Sequence, residues 1–171
     1  RSLLGGEADL AVHSMKDMEA HFAPHTEIGA VLAREDRRDA LVGAYQSLDE
    51  LPKGACVGTA SVRRAAILLH HRSDLQIKLI RGNINRRLAL LEHGEFDAII
   101  LAVAGIKRLG LDVTYSPIDL AIMPSAVAQG ALAIQIAAAD TPRAIAVKNL
   151  VSTLTCPTAL VEVTAERALL S

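Results

Sequence analysis

The chain has 171 residues, of which 51% are hydrophobic and only 2% aromatic, with no Trp and a formal net charge of −1. So few rings argue against modules that stack nucleic-acid bases, and so balanced a charge gives no general attraction to nucleic acid. No apolar run reaches membrane-spanning length and no signal peptide is visible. Cys56 and Cys156 form no C-x-x-C pair, which fits a reducing cytoplasm.

The first element is a strand over Leu10 to Val12, read as buried, which ends in Ser14, Lys16 and Asp17 with no turn residue between. Strands of α/β sheets deliver polar side chains at their carboxyl ends, where ligands bind. Lys16 can grip an anion, and Asp17 can act as an acid, a base or a partner for a cation. The plainer alternative is a surface ion pair. His21 to Thr26 reads as a loop. The apolar run Ile28 to Leu32 leads into the charged cluster Arg34 to Asp39, expected to be a solvated crossover between domains.

From Ala40 the pattern turns α/β. Ala55 to Gly58 reads as a strand with Cys56 as a core thiol, and Ser61 as the N-cap of a helix over Val62 to Arg72. A strand over Gln76 to Ile80 is followed by Arg81-Gly82-Asn83. A helix then runs from Ile84 to His93 with Leu88 and Leu91 inward, closed by Gly94. Asp97 to Val103 is the clearest buried strand. Ala104-Gly105 reads as a turn, and Ile106 to Leu109 as a short helix stopped by Gly110. After Met123-Pro124, residues 125–130 read as a loop and Ala131 to Ala137 as a strand. A helix over Thr141 to Leu154 has Thr141 as N-cap and Pro142 at its first position. Pro157 interrupts, and Thr158 to Leu170 forms a last helix. Alternating strands and helices predict a mainly parallel sheet.

In such a sheet Arg63, Arg64, Arg81, Arg87 and Arg108 collect at one edge, where they would repel unless anions neutralise them. Arg suits bidentate grip of carboxylate or phosphate, and the helix start near Ser61 adds anion affinity. The site therefore suits a small ligand with several carboxylates or phosphates. The bland alternative is solvated surface arginine, as expected for Arg86 together with Lys107. His70 and His71 point about 100° apart on a helix and read as a solvated face rather than a metal pair; no metal ligands are predicted.

The segments A-V-H-S-M-K-D (11–17), V-G-T-A-S-V-R-R (57–64), R-G-N-I-N-R-R-L (81–88), F-D-A-I-I-L-A-V-A-G-I-K-R-L-G-L (96–111), P-S-A-V-A-Q-G-A-L (124–132) and V-T-A-E-R-A (163–168) together resemble the porphobilinogen deaminase (hydroxymethylbilane synthase) family, in the family's order. That resemblance implies an α/β fold of two periplasmic-binding-protein-like domains plus the start of a third, α+β domain. The corresponding segments are 1–34 in domain 1, 37–124 as domain 2, 127–150 returning to domain 1, and 153–171 opening domain 3. It implies a transferase that joins four porphobilinogen units, with release of ammonia, into hydroxymethylbilane on a covalent dipyrromethane primer. Asp17 is implied as the catalytic carboxylate that stabilises the cation left when ammonia departs. Ser14, Lys16, Thr59, Ser61, Arg63, Arg64 and Arg87 are implied to hold primer carboxylates, and Arg81, Arg87, Arg108 and Gln129 to hold substrate.

The departures are specific. The family's attachment cysteine lies in a G-G-C motif expected beyond Ser171; Cys156 precedes V-T-A-E-R-A and is not that residue. Gln135 and residues 137–139 are less polar than the family pattern. The chain reads as the centre of a longer enzyme, inactive alone, and the whole enzyme as a cytoplasmic monomer whose partner is porphobilinogen rather than nucleic acid or membrane. Two other readings remain. One is a non-catalytic anion-binding module of periplasmic type, binding at an interdomain cleft; a pure anion trap gives no reason to place a carboxylate, Asp17, among arginines. The other is a nucleic-acid binder, which the composition disfavours.

Overall fold

A computed structural model describes residues 2–170. In chain order the elements are β1 (Leu10–Ser14), a 3₁₀ turn (Met15–Asp17), β2 (Thr26–Val31), β3 (Asp39–Gly43), β4 (Cys56–Gly58), α1 (Val62–His71), β5 (Gln76–Lys78), α2 (Ile84–Glu92), β6 (Ala98–Ala102), α3 (Val103–Arg108), β7 (Tyr115–Pro117), β8 (Leu132–Ala137), α4 (Pro142–Ser152) and α5 (Pro157–Arg167). They form two compact units, one of residues 1–37 with 126–171 and the other of residues 38–125.

Unit one carries a three-stranded sheet in the order β1-β8-β2, with both pairings antiparallel. Side chains alternate across β8: Ala133 joins Met15, Val31, Ala159 and Val163 on the face covered by α5, while Ile134 and Ile136 join Ala30 and Val151 on the face covered by α4. Gly29 sits at a shift of register in β2. A Cβ there would come within 2.7 Å of Val151, so glycine lets α4 approach the sheet. Thr141 caps α4 by accepting from the Ala144 N–H, and Pro142 and Pro157 occupy first helical positions. Pro157 therefore starts the last helix rather than interrupting it. Within the segment expected to open a third domain, α5 packs against unit one's sheet through Ala159 and Val163.

Unit two carries five strands in the order β5-β4-β6-β3-β7. β4 lies parallel to β5 and β6, while β3 runs antiparallel to both β6 and β7. Leu41 and Ile100 point to the face that holds Leu68 of α1. Ile99, Leu101 and Val42 point to the opposite face, with Leu88 of α2 and Ile106 of α3. Side-chain caps start two helices: Ser61 Oγ accepts from the Arg64 N–H, and Asn83 Oδ1 from the Arg86 N–H. Gly94, with φ of +74°, follows the end of α2 as expected.

The α/β class holds, but the expectation of mainly parallel sheets is corrected. Unit one's sheet is antiparallel among the described residues, and unit two's is mixed. In unit one the cause is that β8 pairs antiparallel with both β1 and β2, and in unit two it is β3, a strand hidden in sequence behind the charged cluster and paired antiparallel with β6 and with β7, which the sequence reading also lacks. The Leu10 to Val12 strand is not buried: it is a sheet edge, with Leu10 40% and Val12 58% exposed. β5 stops at Lys78, and α3 begins at Val103, directly off β6, so the predicted turn at Ala104-Gly105 is helical. Cys56 is half-buried rather than a core residue.

Candidate active site

In unit one the polar residues gather where β1 ends. Ser14 closes the strand opposite Leu132, and the 3₁₀ turn then exposes Lys16 and Asp17 while burying Met15 in the core. Lys16 Nζ lies 3.5 Å from Gln129 Oε1. Gln129 is only 1% exposed, and its Nε2 donates to the Arg37 carbonyl at 2.8 Å, so it braces Lys16 against the chain where it leaves unit one. Its burial leaves Gln129 little surface for the substrate contact expected of it. Asp17 lines a cavity of about 240 Å³ with His13, Met18, His21, Phe22 and Gln135. His13 Nε2 is buried there without a hydrogen-bond partner among the described residues. A larger cavity of about 290 Å³ near Leu3, Leu4 and Arg143 holds no predicted site residue.

The loop that carries Gln129 is fixed by Glu166. Its carboxylate receives Arg34 Nη1 at 2.6 Å, Arg34 Nη2 at 2.9 Å and the Ala128 N–H at 2.7 Å. Ala128 has φ of +57° and Gly130 of +88°, a tight path that these bonds hold closed. Burial pushes the Glu166 carboxyl up, but hydrogen bonds and charge from Arg34 outweigh it, so its pKa lies below the ordinary value. This network was not foreseen; the matching charges of Arg34 and V-T-A-E-R-A were its only trace in sequence.

In unit two the parallel strands β4, β5 and β6 end at one sheet edge, and the residues expected to bind anions follow those ends. Thr59 is buried, and its Oγ1 accepts from the Ser61 N–H at 3.2 Å; the two hydroxyls shape the turn into α1. Arg81, exposed, follows β5. Arg87, one turn into α2, donates through Nε to the Gly82 carbonyl at 2.9 Å. Arg108 lies at the far end of α3, about 9 Å along the helix from the strand edge. Arg86 and Lys107 are exposed, as expected. His71 meets Asp49 at 3.1 Å.

Arg63 and Arg64 share a partner that sequence reading missed. Asp39, wholly buried, accepts Arg63 Nη2 through Oδ2 and Arg64 Nη2 through Oδ1, each at 2.6 Å. Because β3 is antiparallel, it begins beside the carboxyl end of β6, with Asp39 opposite Ala102. Arg64 is 7% exposed and also donates to the Ile100 carbonyl. It is far less open to a ligand than expected, whereas the side chain of Arg63 keeps 28% of its surface exposed.

The family described as porphobilinogen deaminase, dipyromethane cofactor binding domain, matches residues 1–144. The chain belongs to the porphobilinogen deaminase family. A relative named porphobilinogen deaminase from Streptococcus sanguinis is 48% identical over 141 residues, covering 79% of this chain and 46% of the relative. One from Caulobacter vibrioides is 50% identical over 141 residues, covering 81% and 44%. The chain thus spans less than half the length of the curated relatives it matches. Among solved structures, an ABC-transporter periplasmic substrate-binding protein from Coxiella burnetii superposes with a TM-score of 0.52 at 16% identity, covering 96% of this chain and 78% of that one. A TRAP periplasmic solute-binding protein from Desulfovibrio salexigens gives 0.50 at 13%, covering 98% and 60%. At such identities the likeness shows an α/β fold of periplasmic-binding-protein type and nothing about ligands.

Proposed function

We propose that the full-length protein joins four porphobilinogen units into hydroxymethylbilane, with release of ammonia. The observation that carries this reading is Asp17, an exposed carboxylate presented beside Lys16 on the turn that ends β1, in a chain whose other unit gathers arginines at a strand edge. Each condensation breaks the carbon–nitrogen bond of the aminomethyl arm, and positive charge spreads over the pyrrole as ammonia leaves. Asp17 is the group that offsets this charge and accepts a pyrrole N–H.

The residues present suit a carboxylate-bearing primer. In unit two the two guanidiniums of Arg63 and Arg64 meet one buried carboxylate, which leaves an excess positive charge, and Arg81 adds another. Arg63, Arg87 and the hydroxyls of Ser14 and Ser61 would hold primer carboxylates with Lys16, while Arg81 and Arg108 would hold incoming substrate. Arg64 and Thr59, being buried, would act by shaping that surface. When bound, the dipyrromethane supplies the terminal pyrrole carbon to which the first unit is joined.

Cys156 N-caps α5 and packs against unit one's core, and Cys56 lies within β4, so neither is assigned as the attachment point. That role goes to a cysteine beyond Ser171, in a third domain that α5 would lead into. The whole enzyme is read as a cytoplasmic monomer without nucleic-acid or membrane partners. No single helix among the described residues is long and apolar enough to cross a membrane.

Ehrlich's reagent, which colours dipyrromethane, tests the reading on the full-length protein. Colour on the purified enzyme, ammonia release and porphyrin after oxidation are expected with porphobilinogen. A protein that binds porphobilinogen yet gives no colour and releases no ammonia would be an anion-binding module instead.

A further inference from the structure

We propose that Asp39 is a positioning residue: a resident carboxylate that fixes Arg63 and Arg64 so that Arg63 meets a ligand carboxylate in one set orientation. The proposal rests on the reading of unit two's strand edge as a carboxylate-binding surface.

Asp39 is 0% exposed, and a buried carboxylate persists only when paired. Both of its oxygens are engaged, one by each arginine at 2.6 Å. Its backbone is equally fixed, for β3 pairs with β6 on one side and the Asp39 carbonyl accepts from the Ile118 N–H at 2.8 Å. Arg64 is the anchor of this arrangement: buried, and tied as well to the Ile100 carbonyl of β6. Arg63 is the presenting member. It spends one N–H on Asp39 and one on the Pro124 carbonyl at 2.5 Å, out of five N–H groups in a rigid fork. The remaining donors are thereby oriented by the protein before any ligand arrives, which lowers the cost of binding. One carboxylate for two guanidiniums lets the pair sit side by side and leaves a net positive charge. Two adjacent cations without Asp39 would repel and splay apart.

The test uses the full-length enzyme as Asp39→Asn, Arg63→Leu and the double variant. KM and kcat for porphobilinogen, primer occupancy by Ehrlich colour, and the thermal midpoint are measured for each. Asp39→Asn is expected to raise KM or cut primer occupancy about tenfold, with kcat changed far less. Added to Arg63→Leu, it is expected to have almost no further effect on either, because its action passes through that arginine. Asp39→Glu, which keeps the charge, should lie between wild type and Asn. Should Asp39→Asn fail to fold, the same cycle is run with Asp39→Glu. Equal effects in both backgrounds, or a fall in thermal midpoint with KM and occupancy unchanged, would overturn the proposal. If Arg63→Leu alone leaves KM and occupancy normal, the carboxylate-binding reading fails and this proposal with it. A normal Asp39→Asn beside an impaired Arg63→Leu defeats only the role of Asp39.

Discussion

In unit two, Leu41, Ile99 and Ile100 on the central strands β3 and β6 are fully buried, with helices on both faces, and the arginines at the strand edge are pinned by Asp39. In unit one, the strand that delivers Asp17 lies at a sheet edge, leaves Leu10 and Val12 exposed, and ends in a single 3₁₀ turn. The strand edge proposed to bind carboxylates is thus built on a buried frame, whereas Asp17, the proposed reacting carboxylate, sits on a lightly held margin. Rigid placement favours pre-set binding, and a marginal turn leaves a carboxylate room to follow a reacting group. Turnover and stability should therefore separate between the units, with changes at the margin costing turnover and apolar changes in the core of the frame costing the fold.

The sharpest break in that comparison would come at Asp17. Asp17→Asn in the full-length enzyme is expected to lower turnover by 10²–10³, about 3–4 kcal/mol of lost charge stabilisation, with ligand binding retained. Because Asp17 is exposed and on a terminal turn, the thermal midpoint should not move. Stopped assays of ammonia release against a melting curve decide it; near-normal turnover would remove Asp17 from the reaction. The complementary change is Leu41→Ala in the core of unit two, expected to cost about 2–5 kcal/mol of stability. Val12→Ala on the exposed edge should stay within about 0.5 kcal/mol. Denaturation midpoints of the two variants would contradict the contrast if they shifted alike.

The sequence made the frame of unit two partly legible. The apolar run in β6 and the Ser61 cap are local signals, as is the Thr141 cap in unit one, and local signals survive into the fold. Strand direction is not local. Ala40-Leu41-Val42 is too short an apolar run to stand out after six charged residues, so β3 is not legible, nor is the antiparallel pairing that brings Asp39 to Arg63 and Arg64. For the same reason the burial of Arg64 and its bonds to Asp39 and the Ile100 carbonyl are not legible in the sequence. Motif resemblance singles out Asp17 and Gln129 but carries nothing about their exposure. Burial of Gln129 depends on Arg37 and Lys16, residues far from it in sequence. The exposure of Leu10 and Val12 likewise reflects their place at the edge of a sheet, which no periodicity within five residues can show.

A smaller effect is expected where the chain turns at Gly130. Its φ of +88° disfavours any side chain, and an added Cβ would collide with the Glu35 carbonyl oxygen. Gly130→Ala should destabilise unit one by about 1–3 kcal/mol and disturb the neighbouring Gln129, with a rise in KM accompanying the loss of stability. If melting and KM both stay at wild-type values, the loop is looser than its hydrogen bonds to Glu166 imply, and the margin of unit one extends further than β1.

The smallest effect concerns pH. The Glu166 carboxyl is the balance of burial, which raises its pKa, and of Arg34, which lowers it further, so the native value falls below the ordinary 4.5. A carboxylate with a depressed native pKa stabilises the fold fully above its unfolded value, and that stabilisation is lost as pH falls through the native value. Glu166→Gln in the full-length protein should therefore be less stable than wild type at pH 7, and the gap should narrow on acidification below about 4.5. Denaturant midpoints of both proteins at a series of pH values measure it. The gap is expected to be modest because the two causes oppose each other and the pair is partly solvated. A gap that widened toward low pH would mean that Glu166 is protonated in the native state. The Ala128 N–H and Arg34 would then lack the charged acceptor that closes this loop, and unit one's margin would have to be held by its apolar face alone.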